Sequence, residues 1–259
     1  MNDEQKTAAS TLRWILANAP ALDGERATLL GLADQLVGYP RPNQSSQPAA
    51  GSANAGKGAG PVSFGPNIKV ALVVGHNKDG NQGAALKYGD IRESEFVFNG
   101  KVANALMKRG VPGVEFRKFN RIYRGKNQYS KEVAEVYRKV NAWDPHFSVE
   151  LHFNGYNGKS AYTCMLVAQT ASDESVVLAK IFQETFVNTL NTTDKGVVRR
   201  TRGERGGKSL YGARGPIVLT EPFFGDVPSH CAKVSKLGHE GIAEIYAKAI
   251  AQGRKVVAA

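Results

Sequence analysis

From about residue 68 onward, the apolar positions of this chain alternate between short continuous runs and helical stripes. Ile68–Gly75 (IKVALVVG) is an apolar run, interrupted only by Lys69 and closed by glycine, which predicts a buried strand. Glu95–Arg109 sets Phe98, Val102, Ala105 and Leu106 on one helical face and stops at Gly110, a residue suited to a helix C-terminus. Val114–Phe119 predicts a second strand, and Lys131–Ala142, opened by Ser130, spaces Val133, Val136, Tyr137 and Val140 as a helix. Phe147–Phe153 and Tyr162–Val167 predict strands, Ser172–Leu190 a helix, Ile217–Glu221 a strand and Val234–Ala251 a closing helix. Strands separated by helices predict an α/β fold, a mostly parallel twisted sheet flanked by helices. In open sheets of this kind, chemistry gathers beyond the C-terminal ends of the strands.

The first third of the chain reads differently. Leu12, Ile15 and Leu16 share one face and Leu29, Leu30, Leu32, Ala33 and Leu36 another, with Asn18, Pro20 and Asp23 between them. This predicts a small helical head over residues 1–40, a module that docks on the body or targets a partner. Residues 41–66 are dominated by Gly, Ala, Ser, Pro and Asn, with no bulky apolar residue before Val62, and predict a flexible linker. The large body is then 67–259.

Composition narrows the classes. A chain of 259 residues that is 42% hydrophobic and 22% charged can build a full core. Its longest apolar run is strand-sized, so no membrane insertion is expected. The acidic, polar start MNDEQKTAAS is unlike a secretory signal, which predicts synthesis in the cytoplasm. Cys164 and Cys231 are expected to be free thiols. The first 60 residues carry five charges of each sign, so the net charge of +11 belongs entirely to the remainder. A positive field of that size favours a polyanionic partner: nucleic acid, acidic lipid or anionic cell wall.

Three predicted strands finish on residues that bind metal or move protons. VALVVGHN places His76 after the first. FSVELHFNG places Phe147, Val149, Leu151 and Phe153 on one face and Ser148, Glu150 and His152 on the other. PIVLTEPFFGD ends a strand on Glu221, and Glu95 opens the helix after the first strand, where a helix N-terminus favours negative charge. Two histidines and a carboxylate form the ligand set of hydrolytic zinc sites, and a further carboxylate supplies the base.

VVGHN, ESEFVFNGKVANALMKRG, VELHFNG and IVLTEPFFGD, in this order and approximate spacing, resemble the zinc-dependent N-acetylmuramoyl-L-alanine amidases, the cell-wall amidases of autolysins and phage endolysins. The resemblance spans about Ile68–Ala251. It implies one Zn2+ per chain held by His76, Glu95 and His152, with Glu221 as the proton shuttle. It also implies a peptidoglycan substrate, cut between the lactyl group of N-acetylmuramic acid and L-alanine, and action at the cell wall (periplasm) after release. The expected form is a phage-type lysin acting as a monomer. The family's Asn four residues after the ligand Glu, and its apolar pair at seven and eight, match Asn99, Val102 and Ala103 from Glu95 and not from Glu93. Glu150 stands where the family usually has Ser, as a partner of His152 or a competitor for the metal. Asn154 matches the family's Asn, as a substrate-side or turn residue. His146 and His230 are expected at the surface.

Lys195–Arg214 holds seven cations, one acid and five glycines. It reads as a solvated loop whose Arg202, Arg205 and Arg214 are candidates for binding anionic glycan or peptide carboxylates. Two other classes remain at this stage. A zinc peptidase or deacylase cutting a different amide would use the same four residues. A basic nucleic-acid-binding protein would explain the charge, but would leave those residues without a role and lacks aromatic platforms. No specific nucleic acid is therefore expected.

Overall fold

A computed structural model describes residues 67–257, so the expected head (1–40) and linker (41–66) lie outside the described residues. Six strands form one sheet: β1 (Ile68–Val74), β2 (Val114–Asn120), β3 (Phe147–Leu151), β4 (Thr163–Ala168), β5 (Asp194–Arg200) and β6 (Ile217–Glu221). Their order is β2-β1-β3-β6-β4-β5. The helices are α1 (Glu95–Arg109), α2 (Tyr129–Trp143), α3 (Asp173–Leu190), the single turn α4 (Gly207–Leu210) and α5 (Pro228–Val257).

β1 pairs in parallel with β2 and β3, β3 with β6, and β4 with β5. β4 meets β6 antiparallel, which makes the mostly parallel sheet a mixed one. β1, β2, β3 and β6 therefore end at the same edge. β4 starts there, with Cys164 opposite Glu221.

Layers on both faces of the sheet explain why the central strands are buried along their length. On one side Val70, Leu72, Val74, Phe147, Val149 and Leu151 pack against Phe98 of α1, Phe182 of α3 and Tyr246 of α5. On the other, Ala71, Val73 and Leu219 pack against Val133, Val136 and Val140 of α2 and Leu210 of α4. A strand covered on both faces has no solvent side to signal by alternation. Ser94 caps α1 by accepting the Val97 N–H, Gly110 closes it at φ 69°, and Ser172 caps α3 in the same way. No described helix is long and apolar enough to cross a membrane.

Two expectations are corrected here. The stretch read as a solvated loop contains edge strand β5, whose Val197 and Val198 are half-buried beside β4, and the turn α4. Two valines among Gly and Arg are too few to signal a strand that is paired on one side only. The closing helix is also longer than predicted, and it is interrupted at Gly238 (φ 65°, ψ −174°).

Phe182 is fully buried, whereas Met107 is 40% exposed. Phe182→Ala is expected to lower the unfolding free energy by about 3–5 kcal/mol in denaturant titration. Met107→Ala should change it by no more than about 0.5 kcal/mol. Equal effects would contradict the assigned core.

Candidate metal centre and active site

The centre is assembled where β1 and β3 end and α1 begins. Gly75 continues the β1–β3 pairing by donating its N–H to the Leu151 carbonyl (3.0 Å). A Cβ at Gly75 would lie 2.2 Å from His152 Cε1, so the missing side chain is what lets that imidazole lie against the strand end. His76 turns the chain out of the sheet at φ 65°. A non-glycine residue pays about 1–3 kcal/mol for such a conformation and keeps it only where neighbours enforce it. Asn77 does so: its N–H donates to Asn81 O (3.1 Å), its Oδ1 accepts from the Gly80 N–H (2.7 Å), and its Nδ2 donates to Glu132 Oε2 on α2 (2.8 Å).

Glu95, the first residue of α1, is wholly buried and gathers the other groups. Its Oε1 lies 2.7 Å from His152 Nδ1 and 3.1 Å from His76 Nε2, and accepts the Phe153 N–H at 3.1 Å. Its Oε2 accepts the Ala84 N–H at 2.9 Å. Burial alone would raise its pKa, but the hydrogen bond from His152 and the His76 imidazole close by outweigh this and hold the carboxyl well below the usual range. Among the described residues, His76, Glu95 and His152 form a cluster whose donor atoms all lie within 4.8 Å of one another. His76 Nε2 is buried without a hydrogen-bond partner, because its short approach to Glu95 is misaligned for one. Two imidazoles and a carboxylate, with a buried lone pair unspent, fit a tetrahedral zinc with an open position.

Glu150 is not part of that cluster. Its Oε1 lies 3.1 Å from His152 Nε2, on the ring edge away from Glu95. Burial would raise its pKa, but His152, Arg121 and Tyr137 together bring it down to about 2. Glu221, at the end of β6, is 6% exposed, and its Oε2 is buried with no hydrogen-bond partner. Burial pushes its carboxyl up to about 7; the charge of Glu95 adds to this, while His152 and Arg205 pull it back. His76, His152 and Glu221 line one cavity of about 1130 Å³, together with Asn154, Arg205 and the exposed Tyr156.

The four chemistry-bearing residues expected from the sequence are thus brought together. Glu93 stays outside, paired with Lys101 and His239. Asn154 lines the cavity and also holds the loop, bonding Phe223 O and the Gly225 N–H. The three arginines separate. Arg205 lines the cavity, whereas Arg202 stacks on Tyr211 with 4.9 Å to the ring centroid. Arg214 lies before the start of β6, by a second cavity at the other end of that strand from Glu221. His146 is exposed as expected, but His230 is not. It is 4% exposed and accepts the Phe224 N–H at Nδ1, because the helix begins at Pro228 and folds this turn inward. Both cysteines are free and buried. Sequence reasoning missed Arg121, Tyr137 and Ser209, which surround Glu150. Only Arg121, one residue past the end of β2, had a positional signal.

The family model described as N-acetylmuramoyl-L-alanine amidase matches residues 70–253. Similar solved structures include the catalytic domain of an endolysin targeting Clostridia difficile (TM-score 0.59, 21% identity, 72% of this chain and 98% of that one). The CwlD amidase from Clostridioides difficile, solved in complex with the GerS lipoprotein, is another (0.59, 20%, 73% and 100%). The catalytic domain of CwlV, an amidase from Bacillus (Paenibacillus) polymyxa var. colistinus, is a third (0.56, 17%, 73% and 99%). At these identities the likenesses show the fold alone. No curated protein sequence matches.

His152→Ala is expected to abolish zinc retention, measured by elemental analysis of purified protein. Gly75→Ala, which drives a methyl group into the His152 ring, should lower zinc occupancy while circular dichroism stays unchanged. Full occupancy in both variants would contradict the assigned centre.

Proposed function

This chain belongs to the N-acetylmuramoyl-L-alanine amidase family, and we propose that it cuts its substrate with one zinc ion held by His76, Glu95 and His152. The reaction is hydrolysis of the amide that joins the lactyl group of N-acetylmuramic acid to L-alanine in peptidoglycan. The observation that carries the mechanism is the convergence of two imidazole nitrogens and a buried carboxylate on one point, with Glu221 unpaired in the same cavity.

Bound there, zinc supplies a Lewis acid that makes hydroxide available near neutral pH and polarises the scissile carbonyl. Glu221 accepts the proton of the attacking water as its oxygen adds to the lactyl carbonyl carbon. When the C–N bond breaks, Glu221 returns that proton to the departing alanine amine, leaving a lactyl carboxylate and a new N-terminal alanine. Burial pushes this carboxyl up to about 7, which favours its taking up a proton and suits a group that must then hand it on. Its buried Oε2 has no competing hydrogen bond to break first. Asn154 and Arg205, on the cavity wall, serve as polar and cationic contacts for the glycopeptide.

The biological reading is a lytic enzyme of the endolysin type acting at the cell wall as a monomer. In it, residues 67–259 are the catalytic unit, and 41–66 link it to a targeting or docking head (1–40). The positive charge carried wholly outside the first 60 residues supports an anionic wall as the surface it meets.

Glu221→Ala should reduce release of N-terminal alanine from soluble muropeptides by at least about 10²-fold while the zinc content stays at the wild-type level. Retention of substantial activity would remove Glu221 from the mechanism.

A further inference from the structure

Glu150 is fully buried near the end of β3, two residues before His152, which follows the strand. A carboxylate enclosed this way is costly unless its oxygens are satisfied, and here four side chains surround them. Tyr137 on α2 donates its hydroxyl to Oε2 at 2.5 Å. Ser209 on α4 donates to Oε1 at 3.1 Å. Arg121, beyond β2 and 3% exposed, brings Nη2 to 3.6 Å of Oε1, and His152 Nε2 lies 3.1 Å from that same oxygen.

We infer that Glu150 is a positioning residue of the metal centre, a charged group that fixes the tautomer and angle of His152 in place of the serine usual in the family. An ionised carboxylate only accepts, so Nε2 must carry the hydrogen. The hydrogen that Nδ1 shares with Glu95 is then the one a metal would displace, leaving the lone pair of the neutral ring on the nitrogen that faces Glu95. A serine hydroxyl could orient the ring only as a neutral dipole able to donate as well as accept. A carboxylate orients it one way and raises its basicity as a ligand. Tyr137, Ser209 and Arg121 are the supports that keep the carboxylate on that line. Glu150 and the three surrounding side chains thus form one device. α2 braces both histidines, Tyr137 acting through Glu150 and Glu132 through Asn77 next to His76.

The inference rests on the zinc reading above, and its test separates the two. Zinc dissociation constants are measured by chelator competition on the full chain for wild type, Glu150→Gln, Glu150→Ser, Tyr137→Phe and His152→Ala. Cobalt is then exchanged for zinc and its visible absorption recorded as a probe of ligand geometry. Glu150→Gln is expected to weaken zinc binding about 10–100-fold and to alter the cobalt spectrum. Glu150→Ser should recover part of the affinity, and Tyr137→Phe should weaken binding by a smaller factor. Wild-type affinity in Glu150→Gln would overturn the inference and leave the zinc centre standing. Loss as complete as in His152→Ala, with the fold retained, would overturn it by making Glu150 a ligand. If the Glu150 variants do not fold, Tyr137→Phe decides, and unchanged affinity and cobalt spectrum in it would overturn the inference. A wild-type chain that binds no zinc would instead sink the zinc reading itself.

Discussion

The fold's working edge depends on one buried carboxylate. Glu95 is the first residue of a helix, enclosed completely, and its two oxygens collect both histidines and two backbone N–H groups. An unpaired charge in that position would be strongly destabilising. Those contacts therefore hold the end of β1, the start of α1, the end of β3 and the loop at Ala84 in one arrangement. The helix N-terminus adds to this by favouring the negative charge. The proposed metal centre and the local architecture are consequently the same object, and a change that moves Glu95 moves both.

Around this carboxylate the protein separates two kinds of acid by their surroundings. Glu95 and Glu150 are surrounded by donors and cations that keep them ionised despite burial. Glu221 is equally enclosed, but has an oxygen with no hydrogen-bond partner and negative neighbours, so its carboxyl rises to about 7. In the proposed mechanism ligand, orienting group and proton carrier are all glutamates, and the difference between them is supplied by the donors each one meets. The parallel strands make this possible by ending at one edge, so that residues far apart in sequence share a cavity.

Most of the fold was legible because its elements are strongly patterned. The doubly covered strands read as apolar-rich runs, and the longer helices carry clear stripes, with serine caps on α1 and α3. The Ser130 start expected for α2 is replaced by Tyr129, without a side-chain cap. β5 was not legible, because an edge strand of DKGVVRR needs little hydrophobicity when only one side is paired. The four residues at the strand ends could be found from position and resemblance together. Glu150 could be noticed as a departure, but its partners could not. Tyr137 looks like any buried helix residue and Ser209 like part of a basic loop, and only the packing of α2 and α4 on the sheet brings them to the same oxygen pair. His230 failed for the opposite reason: a Pro-Ser-His turn looks exposed until the closing helix folds it inward.

The account's central claim is that a metal held at the strand ends drives cleavage of one particular amide. Its most direct test is digestion of purified peptidoglycan by native, EDTA-treated and zinc-restored protein, with the released chain ends identified chemically. The account predicts new N-terminal alanine without new reducing sugar, lost on chelation and regained with zinc. Alanine release that persists undiminished after the metal has been removed would contradict it.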